Sequence, residues 1–263
     1  MKKNILIVIL GLVIIGLGGV IFYQNNKKVT KTNVVKDNNS SKEEEVLDVN
    51  GRVVMDLYNE VVISGDSFNK YWYFENNDNY LVENASEESK MALLYHNLKQ
   101  SDFKSGNHVD SGVPLTVKVK NFYRNNEEEA FLAKQDTQIA GDYYISSQID
   151  YDKVNLLYKK IFGSDKAVDK SIPMQISNFG GFYIYNDTVK AYILYLEETG
   201  GTSMTEYRGT VTKAIKNKDS IVITEKVELV DTANNSVTEV GSYNYTFKKD
   251  TDTMYSFVSR IKE

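Results

Sequence analysis

The first pattern in the chain is an apolar run, residues 5–22, without a single charge, set behind Lys2 and Lys3. As a helix, 18 such residues would span about 27 Å, close to the hydrocarbon thickness of a bilayer. Backbone groups in lipid must satisfy one another, so a helix is the expected form. Tyr23 stands where an interfacial aromatic would. The run is longer than the apolar core of a cleaved signal peptide. Gly18-Gly19 is followed by Val20-Ile21-Phe22 instead of a polar mature start. It reads as an uncleaved anchor. Residues 24–45 follow with Val29, Val34 and Val35 as their only apolar positions and no periodicity. Such a segment cannot bury enough surface to offset its ordering entropy. It predicts a flexible linker with a reach of about 25 Å.

Beyond residue 46 the period changes. Val53, Val54, Leu57, Tyr58, Val61 and Val62 recur at spacings of three and four, one stripe of an amphipathic helix. Ser86 is a good N-cap for a second helix, with Glu87 and Glu88 in its first turn and Met91, Leu94, Tyr95 and Leu98 on its buried face. A third helix follows Asp150, with Val154, Leu157, Tyr158, Ile161 and Phe162 as its stripe and Gly163 as its stop.

The last third alternates. Residues 182–185 and 189–196 flank the turn dipeptide Asn186-Asp187, and 199–202 make the next turn. Residues 204–215, 220–230, 237–247 and 254–261 then read as strands joined at Asn217-Lys218, Asn234-Asn235 and Asp250-Thr251. Ile221, Ile223, Val227 and Leu229 share a face, as do Tyr243, Tyr245 and Phe247, and Tyr255, Phe257 and Ile261. The opposite face carries Thr224, Lys226, Glu228, Asn244, Thr246, Lys248, Ser256 and Arg260. One wet and one dry face mark an antiparallel sheet backed by helices. Residues 191–196 are apolar on both faces and are expected to be central. Between them, residues 101–148 are harder to read. Thr116 to Val119 alternates weakly, Glu127-Glu128-Glu129 suggests a solvated loop or helix start, and Tyr143 to Ile145 suggests a strand.

These patterns predict an α+β fold: an N-terminal transmembrane helix, a flexible tether, then helices packed on an antiparallel β-meander sheet. The domains are a cytoplasmic tip and anchor over 1–23, a linker over 24–45 and an extracytoplasmic domain over 46–263, with a sub-boundary near 146 left open. The basic-then-apolar order places the chain in the cell membrane as a single-pass protein. Its bilayer contact is residues 5–22 and its C-terminal domain lies outside.

Composition narrows the classes. The absence of cysteine excludes disulfides, thiolate metal sites and a cysteine nucleophile. Charge splits along the chain: residues 1–45 carry +3 and residues 46–263 carry −8. An acidic outer domain argues against nucleic acid, which requires a basic surface.

The candidate chemistry is sparse. Asp110-Ser111-Gly112 matches the short string of aspartic proteases, which need two carboxylates sharing a proton. A single copy reads as a turn. His96 and His108 are the only imidazoles, and no Gly-x-Ser-x-Gly elbow accompanies them. Asp150-x-Asp152-x-x-Asn155 offers oxygen ligands but lacks the glycine of a calcium loop and runs into a helix. Glu197-Glu198 is a carboxylate pair that reads as a turn flank. No catalytic residue, metal ligand or cofactor is assigned. The most distinctive local feature is Tyr71-Trp72-Tyr73-Phe74, read as a core strand. Its alternative is a platform of Tyr71, Trp72 and Tyr73 for a sugar or peptide, because these rings join a stacking face to a polar handle.

The helix ending Ile161-Phe162-Gly163, then Tyr183-x-Tyr185-Asn186-Asp187, Gly200-Gly201, Tyr243-x-Tyr245-x-Phe247 and Tyr255-x-Phe257, resemble a group of single-pass, membrane-anchored extracytoplasmic proteins of AT-rich bacteria. That resemblance covers most of residues 50–263 and carries no functional residue. The leading expectation is a membrane-tethered binding domain for a protein, peptide or envelope glycan. The alternatives are an envelope hydrolase using Asp or Glu, or an assembly subunit of a membrane complex.

Overall fold

The computed structural model describes residues 44–65, 67, 70–75, 77–105, 107–108, 113–132, 144–196 and 204–263. In chain order the strands are β1 (Glu45–Val46), β2 (Asn79–Leu81), β3 (Phe103–Lys104), β4 (Asn107–His108), β5 (Thr116–Asn121), β6 (Asn126–Leu132), β7 (Tyr144–Ile145), β8 (Gln148–Asp150), β9 (Met174–Ser177), β10 (Gly180–Asn186), β11 (Ala191–Leu196), β12 (Thr205–Asn217), β13 (Ser220–Asp231), β14 (Ser236–Lys249) and β15 (Tyr255–Lys262). Three α-helices interrupt them: α1 (Arg52–Asn59), α2 (Glu87–Tyr95) and α3 (Tyr151–Phe162).

The expected α+β class with one meander sheet is corrected here. Strands take 47% of the described residues against 18% for helices, and they form two large antiparallel sheets. The first sheet has the order β1-β12-β13-β14-β15-β2. Its four long strands are the expected meander. The second has the order β3-β8-β11-β10-β9, with β6 pairing β11 and β5 pairing β6. Its β10–β11 hairpin is as expected; the rest is not legible in the sequence because β6, β8 and β3 join it from segments far apart along the chain.

Turn chemistry explains the hairpins. Lys218 and Asp219 alone connect β12 to β13, where Asn217 pairs Ser220. The Asp231 carboxylate accepts the Ala233 and Asn234 amides at 2.9 and 3.1 Å and tightens the next loop, where Asn235 takes φ +50°. The Asn186 side chain accepts Thr188 N–H at 3.0 Å in the β10–β11 loop.

The core lies between the sheets and the helices. Tyr243, Tyr245, Phe247, Phe257, Ile221 and Ile223 from the first sheet join one buried cluster with Leu57, Leu94, Ile161 and Tyr192. Helix α2 packs on β9, and α3 packs on β15 and β8. Ser86 caps α2 as expected, its hydroxyl accepting Ser89 N–H at 3.1 Å. The middle of α2 is buried all round, from Ser89 to Leu94, because both of its sides face protein. Helix α1 starts after Gly51 without a side-chain cap. Gly163 ends α3 at φ +121°, outside the left-handed helical region. β11 is central as expected, hydrogen-bonded to β10 on one side and to β8 and β6 on the other.

Three further expectations change. Glu127-Glu128-Glu129 lies in β6, with Glu128 buried beside Arg124 Nη1 (3.4 Å) and Asn121 Nδ2 (3.0 Å). Glu45, expected in the linker, pairs with Lys216 at the sheet edge. Three β-bulges break the strict alternation of the meander: Thr212 is the extra residue of β12, and two more follow. Val227 pairs Gly241 and Glu228 pairs Glu239, so Val240 is the extra residue; beyond it Val230, not Leu229, is buried. Thr246 pairs Ser259 and Phe247 pairs Phe257, so Val258 is extra. The bulge at Val258 turns Arg260 from the expected wet face into the core, opposite Tyr245.

The expected transmembrane anchor, residues 5–22, lies outside the described residues, as does the linker up to residue 43. Among the described residues no helix is long and apolar enough to cross a membrane.

Candidate functional site

The aromatic run is not the strand predicted for it. Trp72–Phe74 forms a single 3₁₀ turn that ends at Glu75 in the left-handed region. A tight turn sends consecutive side chains in different directions, so four aromatic residues reach four environments. Tyr71 and Trp72 line a cavity of about 330 Å³. Phe74 closes its inner side and packs edge-on to Tyr80 and at a tilt to Phe257. Tyr73 does not reach it. Its ring is buried and its hydroxyl donates to Val61 O at 2.9 Å.

The cavity is assembled from distant parts of the chain. The turn at 71–78 forms one wall, the bulge residues Val227 and Val240 and their neighbour Tyr243 form the floor, and Tyr207 comes from β12. Tyr123 and Asn178 reach in from the β5–β6 and β9–β10 turns of the second sheet. Arg260 completes it.

Arg260 is 4% exposed, and its surroundings fix its orientation. Its Nε donates to Tyr245 Oη at 3.0 Å. Its guanidinium lies over the Tyr243 ring, 3.4 Å from the centroid, with the Phe74 and Tyr71 rings at 5.0 and 5.1 Å. Cation–π contacts in a desolvated site are worth about 2 kcal/mol. No carboxylate among the described residues lies within ion-pair distance of it. Its two terminal nitrogens have no protein acceptor among the described residues, and they open toward the cavity.

Behind Arg260 sits Glu225, fully buried on β13. Its Oε2 accepts Tyr245 Oη at 2.6 Å, and its Oε1 accepts Tyr71 Oη at 2.6 Å and also Tyr58 Oη. Burial first, and the Glu225 charge second, hold the Tyr58, Tyr71 and Tyr245 hydroxyls well above the usual phenol range. All three phenols are therefore donors at any ordinary pH. The charge of Arg260 is balanced by Glu225 through Tyr245 instead of by contact. Gly209 on β12 makes this possible. A Cβ there would overlap Glu225 Oε1 and lie 2.6 Å from Tyr71 Oη.

At the rim, Asp78 accepts Tyr243 Oη at 2.9 Å and Lys262 Nζ at 3.1 Å. These hydrogen bonds, Tyr243's first, hold its carboxyl below the usual range. Asn178 Oδ1, also on the wall, is buried without a donor. Trp72 Nε1 donates to His96 Nε2 at 3.3 Å, which requires that nitrogen to be unprotonated. Burial pushes His96 down to about 4.

The other sequence candidates are not brought to this site. His96 packs at the end of α2 against Trp72, Tyr73 and Tyr95. Asp150 precedes α3 and pairs with Lys104 at 2.6 Å, and Asn155 accepts Val168 N–H at 3.1 Å. Asp110-Ser111-Gly112, the His108 side chain and Glu197-Glu198 lie outside the described residues. Glu225 and Arg260 were absent from the sequence candidates. The signal for Glu225 was legible: in Ile221-x-Ile223-x-Glu225-x-Val227 it occupies a dry-face position. Arg260 carried no such signal, since the bulge at Val258 reverses its face.

Set against known proteins, the chain matches no protein family, no curated protein and no solved structure. Nothing there bears on the resemblance to membrane-anchored extracytoplasmic proteins. The argument for function rests on the cavity alone.

Proposed function

We propose that this chain is a binding domain, held at the outer face of a cell membrane by the apolar run 5–22, whose ligand occupies the cavity beside Arg260. One observation carries the binding reading. A guanidinium more than nine-tenths buried presents two terminal nitrogens that the protein leaves without acceptors. Those nitrogens are reached by solvent from the cavity side, so they are free to pair with a ligand's acceptors. A ligand supplies what the fold withholds. The aromatic walls add stacking surface, and Tyr71 and Trp72 belong to them. Glu225 is a positioning group: both its oxygens are occupied by tyrosine hydroxyls, so it steers Arg260 and has no free edge for proton transfer.

Thermal unfolding of the full-length chain against Ca²⁺, wall fragments, oligosaccharides and short peptides tests the reading. A ligand at 100 times its Kd adds about 2.7 kcal/mol. A flat panel overturns it. The membrane part is tested separately. Removing residues 5–22 should move the chain from the membrane fraction to the soluble one, and continued sedimentation with membranes would refute it.

A further inference from the structure

We infer that the cavity takes a small monocarboxylate: a carboxylate carried on a ring or other apolar body, with an N–H or O–H donor close by. This rests on the binding reading above and names its ligand chemistry.

Four features of the site converge on that class. The first is the fork. With Nε committed to Tyr245 Oη and the guanidinium laid on the Tyr243 ring, the two terminal nitrogens offer parallel donors in one plane. Two oxygens of a planar carboxylate match that geometry in a bidentate pair. The second is charge. Arg260 is backed by Glu225, and Lys262 is paired with Asp78, so the four groups sum to zero. The domain around them is net acidic, at −8 over residues 46–263. A dianion such as a phosphate monoester would leave the site at −2 inside a net acidic domain, whereas a monoanion leaves it at −1 with its charge paired to the guanidinium.

The third is shape. About 330 Å³ is at the small end of ligand sites, so the cavity admits one residue or one sugar ring, not the middle of a polymer. Tyr71, Trp72, Tyr123 and Tyr207 supply the faces against which such a body packs. The fourth is Asn178, whose buried Oδ1 has no donor and calls for one on the ligand. The terminal residue of a peptide has this chemistry, and so does a uronic acid.

Trp72 is the only tryptophan of the chain and lines the cavity, so its fluorescence reports occupancy directly. The experiment titrates the full-length chain, in nanodiscs of zwitterionic lipid, with N-acetylphenylalanine and its amide, and with glucuronic acid and glucose. The expected result is saturable change with at least one of the two acids, binding at least about tenfold tighter than its uncharged counterpart. The acid that binds identifies the peptide or the sugar source. In Arg260→Gln the preference for the acid should disappear. Should that variant fail to fold, Asn178→Leu leaves the Glu225 network intact and should weaken the acid by about three- to tenfold at unchanged melting temperature. Equal binding of acid and uncharged counterpart overturns the inference while leaving the cavity a ligand site. The same holds if neither acid binds while other members of the ligand panel do. If no ligand of either set changes Trp72 or the melting temperature, the binding reading falls with it.

Discussion

Glu225 occupies a position that Ile221, Ile223 and Val227 mark as dry, and three tyrosine hydroxyls are what make a carboxylate tolerable there. Removing one donor should be felt at both ends of the chain of bonds. Tyr245→Phe strips a hydrogen bond from Glu225 and the acceptor from Arg260 Nε. It is expected to destabilise by about 2–3 kcal/mol in urea unfolding, since each hydrogen bond to a charged group contributes about 1.5–3 kcal/mol. A loss under about 0.5 kcal/mol would mean that water or a rearranged neighbour replaces the phenol. Gly209 tests the same cluster from outside. Gly209→Ala places a methyl group on the Glu225 oxygen, and the displaced carboxylate cannot keep both Tyr58 and Tyr71. Overpacking of this kind costs about 1–3 kcal/mol. An alanine variant as stable as the parent would show that the backbone at 209 gives way freely.

Alternation was a good guide to the elements and a poor guide to faces beyond a bulge. The meander, the three helices and the Ser86 cap follow from local periodicity and from single-residue chemistry, both of which are local in sequence. Arg260 could not be placed that way, because one extra residue, Val258, reverses every position after it. Trp72–Phe74 failed for the opposite reason: aromatic content suggests strand, while tertiary packing holds the segment in a 3₁₀ turn. Of the second sheet only the β10–β11 hairpin was legible, because the pairings that complete it, β6–β11, β8–β11 and β3–β8, join segments far apart in sequence. The bulge itself is testable. Deleting Val258 removes only the extra residue and leaves Arg260 opposite Tyr245, whereas inserting one residue between Ser259 and Arg260 moves Arg260 one position, to the outer face, and leaves Glu225 without its cation. A loss of about 3–5 kcal/mol is expected. Val258→Ala, at a position 37% exposed, should stay within about 1 kcal/mol of the parent. Equal stability of the insertion would place the guanidinium elsewhere. Helix α2 carries a second prediction through His96, at its end. The imidazole sits near 4 when folded and near its ordinary 6.5 when unfolded. The unfolded state therefore takes the proton first as pH falls. The His96 contribution is full above 6.5, declines from 6.5 to 4 by about 3 kcal/mol, and is constant below. Urea midpoints across that range should show the slope in the parent and lack it in His96→Gln, which keeps an acceptor for Trp72 but does not titrate.

At the scale of the whole domain, the two sheets are interdependent because neither is built from one stretch of chain. The first takes β1 and β2 from before residue 146 and β12 to β15 from after it. The second pairs β3 with β8 and β6 with β11, again across 146. The cavity follows the same rule: Tyr71, Trp72 and Tyr123 come from the first half, and Asn178, Tyr243 and Arg260 from the second. One buried cluster joins Leu57, Trp72 and Leu94 to Ile161, Tyr192 and Tyr245. A chain divided near 146 would cut the β6–β11 and β3–β8 pairings and open that cluster to water on both sides. Residues 46–146 and 147–263 made separately should therefore show no cooperative thermal transition. Mixed or co-expressed, they should associate and regain one, since the missing pairings are then supplied in trans. The regained Trp72 fluorescence should match that of the intact chain, because its neighbours Phe122 and His96 come from its own half while the floor of its cavity comes from the other. A cooperative melt of either half alone would show that one sheet closes without the other, and would place a true domain boundary near 146.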